Sequence, residues 1–196
     1  MHINSHFAVG IIISSILNYF FEFNLFDFFL IVFFSFICDF DVFFSKYAKN
    51  NNHRMLISHS IIPSVIIMLI GFFISWPALF LSGFVYFVHI LIDTLDWGTN
   101  FFYFQKKQIG PKLLISKEEF ENISLYLAKY KKPESFFDNK YYKNKVCMSI
   151  ELILFISMII SIILFAFQFI LMILIYFPFL YFHLQRHLYL KKLEMR

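Results

Sequence analysis

The 196-residue chain is 60% hydrophobic and 22% aromatic, with 31 phenylalanines, only 15% charged residues and a formal net charge of +4. A water-soluble domain of this length carries far more polar surface, so the composition excludes one. Several apolar runs reach the ~20 residues needed to cross a ~30 Å hydrocarbon core, which points to an all-α, polytopic membrane protein.

In chain order, the first span is expected from about Phe7 to Phe21. The N-terminus has no basic leader and no small-residue cleavage site, so this run reads as a retained span and not a cleaved signal. A short acidic turn, Glu22 to Asp27, leads to a second span from about Phe28 to Phe44. A polar loop follows, and within it lies the island Asn51-Asn52-His53-Arg54-Met55-Leu56-Ile57-Ser58-His59-Ser60. A third span runs from about His59 to Ile74. It ends at Ser75-Trp76-Pro77, where proline stops one helix and opens the next. The fourth covers about Ala78 to Leu95.

Thr99 to Lys145 changes character, with ten Lys against five Glu or Asp and a net charge of +5. It reads as a basic cytoplasmic insertion with a short helix near Lys117–Lys129. From Val146 to His183 the chain is apolar again. A single helix of that length would be ~55 Å long, so a hairpin turning near Gln168 is expected, giving about six spans. The chain thus divides into a four-helix core with the polar motifs (1–98), the insertion (99–145), and a C-terminal hairpin with a basic tail (146–196).

With six spans the basic residues collect on one side: Lys46, Lys49 and Arg54; the insertion; and Arg186, Lys191, Lys192 and Arg196. The opposite loops hold none, so the positive-inside rule puts both termini in the cytoplasm, with Trp76 and Trp97 at opposite interfaces. The in-membrane polar residues gather on that same side. They are His2 and His6 at the start of span one, Asp39 and Asp41 at the end of span two, His53 and His59 in the next loop, and His89, Asp93 and Asp96 at the end of span four.

A lone interfacial histidine is usually a hydrogen-bonded or snorkelling residue, and on that ground His183, His187 and Glu151 read as interfacial. Cys38 and Cys147 read as small buried hydrophobes. The cluster His6, Asp39, Asp41, His53, His59, His89 and Asp93 is different. An ionised Asp inside a span costs about 2.5–3.5 kcal/mol at the centre, and several together need a partner. Imidazole with carboxylate suits a divalent ion such as Zn²⁺ or Mn²⁺. His89 and Asp93 are i, i+4 and share a helix face. Asp39 and Asp41 are i, i+2, so the backbone should leave the α-helix there.

These residues resemble the membrane-bound metal-dependent hydrolase family, also described as LexA-binding, inner-membrane-associated hydrolases. The resemblance rests on Ser5-His6, Asp39-Phe40-Asp41, His53-Arg54 to His59-Ser60, and His89-Ile90-Leu91-Ile92-Asp93-Thr94 with Gly98, in order across about residues 1–104. The chain departs from the family pattern at Cys38, Val42 and Met55, where Pro, His and Gly are frequent. The resemblance implies an inner-membrane hydrolase. On this reading His6, Asp39, Asp41, His59, His89 and Asp93 bind one or two divalent ions, Arg54 clamps a substrate oxygen, and His53 is a ligand or general acid–base. Ser60 and Thr94 support the site by hydrogen bonds. An ion there would acidify water toward neutral pH for attack on an ester or phosphoester. A site at lipid depth favours an amphipathic substrate among membrane lipids. No nucleic-acid motif is present. Two other readings use the same residues: an ion, proton or metal transporter built on the His/Asp cluster, and a membrane anchor acting through the basic insertion.

Overall fold

The computed structural model describes residues 2–48, 52–105 and 107–195; Lys49, Asn51, Lys106 and Arg196, which belong to the charge pattern and polar island, lie outside them. The fold is all-helical, and the described residues add only an isolated β-bridge, Thr99–Ile109. Helix α1 (Ile3–Phe21) ends on Glu22 in the left-handed region, whose N–H donates to the Asn18 carbonyl. Helix α2 (Leu25–Phe34) is capped by the Asn24 side chain, which accepts from Asp27 N. The chain then tightens into a 3₁₀ run over Ile37–Tyr47. The polar island makes single 3₁₀ turns, His53–Met55 and Ile57–His59, before α3 (Ile61–Phe73) and α4 (Pro77–Asp96).

Among the described residues, five helical segments are long and apolar enough to cross a membrane: Ile3–Phe21, Leu25–Tyr47, Pro77–Asp96, Lys145–Phe165 and Phe167–Met195. The third expected span is shorter than that. Ser60 caps α3 by accepting from Ile62 N, and the chain turns at Ser75 (φ 56°). The 13 residues between them rise only ~20 Å. The apolar run is long, but its first residues are used for capping and not for helix.

Helices α3 and α4 pack at glycines. A Cβ at Gly71 would lie 2.3 Å from Phe80 N, and one at Gly83 2.7 Å from Met68 N. Close approach through small residues replaces the hydrophobic drive that lipid cannot supply. Gly71→Ala is therefore expected to cost about 1–3 kcal/mol through overpacking, read as a lower thermal midpoint in detergent.

The described residues of the insertion form three short helices: α5 (Lys117–Glu121), α6 (Ile123–Leu127) and α7 (Pro133–Lys143). The expected helix near 117–129 is broken at Asn122, and α7 follows it. Lys140 pairs with Glu119 at 2.5 Å, which holds the Glu119 carboxyl below its usual range and ties α7 to α5. Helix α8 (Lys145–Phe165) stops at Ala166, a 3₁₀ run fills Phe167–Ile175, and α9 (Tyr176–Met195) returns. Phe155 meets Tyr176 at 5.1 Å between ring centroids, so the chain folds back as a hairpin, turning next to Gln168. That hairpin shares a core with α1 and α2: Phe7, Ile11, Phe28, Ile31, Met158 and Ile162 are buried together.

Candidate metal centre

Two of the motifs reach the centre from breaks in regular α-helix, while His6 projects from α1 and His89 and Asp93 from α4. At 3.0 residues per turn, the 3₁₀ run turns ~120° per residue and sends Asp39 and Asp41 to different sides. Asn52 accepts from Arg54 N, fixing the first turn of the island. Helix α4 stops just beyond its motif because Gly98 adopts φ +81° and donates its N–H to the Asp93 carbonyl, a left-handed conformation that glycine takes without penalty.

His59, His89 and Asp93 are buried and converge with the partly buried Asp39. His59 Nε2 lies 3.8 Å from Asp39 Oδ1 and 3.4 Å from Asp93 Oδ2. His89 Nε2 lies 3.6 Å from Asp39 Oδ1 and 3.8 Å from Asp93 Oδ2. Donors ~2.1 Å from a tetrahedral ion are about 3.4 Å apart, so these spacings fit a shared cation. Three of them exceed hydrogen-bond length, and the 3.4 Å spacing is longer than the usual ~2.7–3.2 Å. His6 joins them, with Nε2 3.2 Å from Asp93 Oδ1 and its ring stacked 3.7 Å from His89. Donor atoms of His6, Asp39, His89 and Asp93 all fall within 4.8 Å of one another.

The outer hydrogen bonds choose which nitrogen faces inward. His59 Nδ1 is 2.7 Å from Asp41 Oδ2, and His89 Nδ1 is 2.7 Å from the Ser35 carbonyl. A neutral imidazole that donates from Nδ1 offers Nε2 as its acceptor. Both Nε2 atoms are buried without a hydrogen-bond partner, as is Asp39 Oδ2. Metal-binding histidines are oriented in this way by an outer carboxylate or carbonyl. Three of the clustered side chains are carboxylates, Asp39, Asp41 and Asp93, and one, Arg54, is a permanent cation. Buried negative charge of that size calls for a cation.

Asp41 lies across His59 from this centre. It accepts from the Ser58 hydroxyl and lies 2.9 Å from His53 Nδ1. Asp41, His53 and His59 form a second group with donor atoms within 4.8 Å. Arg54 is buried and bound to Asp93, with Nη2 3.1 Å from Oδ2 and Nη1 donating to the Asp93 carbonyl at 3.1 Å. The expected substrate clamp is thus engaged inside the protein. His53, with 26% of its side chain exposed, is the cluster member nearest solvent.

Ser60 and Thr94 make their hydroxyl bonds to backbone. Ser60 donates to the Ile57 carbonyl and Thr94 to the Leu91 carbonyl, so neither is seen to support a candidate ligand. Ser58 and Ser35 were given no role in the sequence reading. Ser58 was legible as a neighbour of His59, while the Ser35 carbonyl carries no side-chain signal. Cys38 is buried with its donor atom within 4.8 Å of those of His59 and His89, although the sequence offered it only as a small hydrophobe. The chain matches no family model, no curated protein and no solved structure.

Proposed function

We propose that this protein is a membrane-embedded, metal-dependent hydrolase of the family its motifs resemble, in the inner membrane with both termini cytoplasmic. One observation carries the reading. Two buried imidazoles, each tied through Nδ1, turn unpartnered Nε2 atoms toward Asp39 and Asp93 at 3.4–3.8 Å.

His59, His89, Asp39 and Asp93 would hold one divalent ion, Zn²⁺ or Mn²⁺, with His6 as a further ligand. The ion would supply Lewis acidity to a water and to an ester or phosphoester oxygen. The second group does not make a second full site. His59 commits Nε2 to the first centre and Nδ1–H to Asp41, which leaves Asp41 and His53 alone. In this reading Asp41 orients His59, and His53, held by Asp41 at the solvent side, moves the proton. Arg54 holds Asp93 and balances its charge. The centre lies where apolar helices end, which suits an amphipathic ester or phosphoester.

Elemental analysis of the protein purified in detergent should give one ion per chain for the wild type and none for Asp39→Ala. Phosphodiesterase or phosphatase turnover should disappear with the ion. Full metal content in Asp39→Ala would sink the proposal.

A further inference from the structure

Helix α1 carries His6 in its second turn, yet its start has no polar cap, although the His2 ring there packs against Tyr141 and His183. His2 occupies the N-cap position without a side-chain cap. Orphan N–H groups in a first turn normally need such a cap, or the turn frays. A metal ligand four residues from an uncapped end has to be fixed from elsewhere.

The anchor is Glu151, in the first turns of α8. Its Oε2 accepts from Asn4 Nδ2 at 2.8 Å, and its Oε1 accepts from the hydroxyls of Ser5 and Tyr141. Asn4 Nδ2 also reaches the Tyr176 hydroxyl at 3.3 Å, which brings in α9. Asn4 and Ser5 are buried on α1, directly before His6. Tyr141 is buried and lies on α7, inside the basic insertion. One carboxylate therefore joins α1, α7 and α8, and it sits at the positive end of the α1 dipole, where an anion is favoured.

We propose that Glu151 is a positioning residue. With Tyr141 it clamps the first turn of α1 and so fixes His6, making the insertion part of the metal centre. This rests on the reading of His6 as a ligand, so the experiment has two arms. In the first, amide exchange over residues 3–10 is followed in metal-free protein. Glu151→Gln is expected to speed it about tenfold and to leave α4 unchanged; unaltered exchange would overturn the clamp whatever the protein binds. In the second, Zn²⁺ affinity is measured for wild type, Glu151→Gln, His6→Ala and the double variant. Loss of a supporting hydrogen-bond partner typically weakens metal binding 10–100-fold. That loss is expected for Glu151→Gln in the wild-type background and is expected to vanish when His6 is already Ala.

An equal loss in both backgrounds would mean that Glu151 merely supports the fold, and would overturn the coupling to His6. Tyr141→Phe should move both readouts in the same direction by a smaller factor; no change would remove the insertion from the centre. If wild-type protein binds no Zn²⁺, the metal reading and the coupling to it both fail, while the exchange arm still decides the clamp.

Discussion

Asp93→Ala is expected to abolish metal binding and turnover and to destabilise the protein as well. Asp93 faces His6, His59 and His89, and it carries the Arg54 guanidinium on both its carboxylate and its backbone carbonyl. Removing the carboxylate deletes a central donor and leaves a buried cation without its counter-charge. Breaking one side of a buried pair typically costs 3–5 kcal/mol. The two losses can be separated, because adding Arg54→Leu to Asp93→Ala removes the stranded charge. The double variant should recover most of the thermal midpoint and none of the metal. If Asp93→Ala retains both metal and midpoint, the cluster is not organised around this residue.

His59→Ala should also lose the ion, while Asp41→Asn should only weaken it, by the 10–100-fold typical of an orienting carboxylate. The contrast follows from geometry. His59 turns Nε2 into the centre, whereas Asp41 touches the ring from behind at Nδ1. Zn²⁺ titration of the two variants, with elemental analysis at saturation, checks the ranking. Were Asp41→Asn to lose the ion as completely as His59→Ala, Asp41 would be a ligand and the one-ion assignment would fall.

Much of the site was legible because the membrane makes ionisable residues costly. His6, Asp39, His59, His89 and Asp93 stood out against apolar runs, and the fold brings all five together. The i, i+2 spacing of Asp39 and Asp41 announced a break in the α-helix, and a 3₁₀ run lies there. Arg54 was visible as a site residue, but not its partner, since a guanidinium fits an Asp carboxylate as well as a substrate oxygen. The length of α3 was hidden, because a capping serine and the turn after Ile74 shorten the helix without altering the apolar run.

Glu151, His183 and His187 looked like an interfacial fringe. In the fold Glu151 accepts from Asn4, Ser5 and Tyr141, His183 Nε2 lies 2.9 Å from the Tyr142 hydroxyl, and His187 Nδ1 lies 2.6 Å from Asp138. The sequence by itself determined that apolar helices long enough for a membrane surround one polar cluster, since hydropathy and charge depend on residue type alone. Tertiary structure alone decided which nitrogen of each histidine faces the centre, where Arg54 spends its charge, and that α7 reaches Glu151. Most of those facts depend on contacts between residues far apart in the chain, up to 87 positions for His6 and Asp93, which no local pattern encodes.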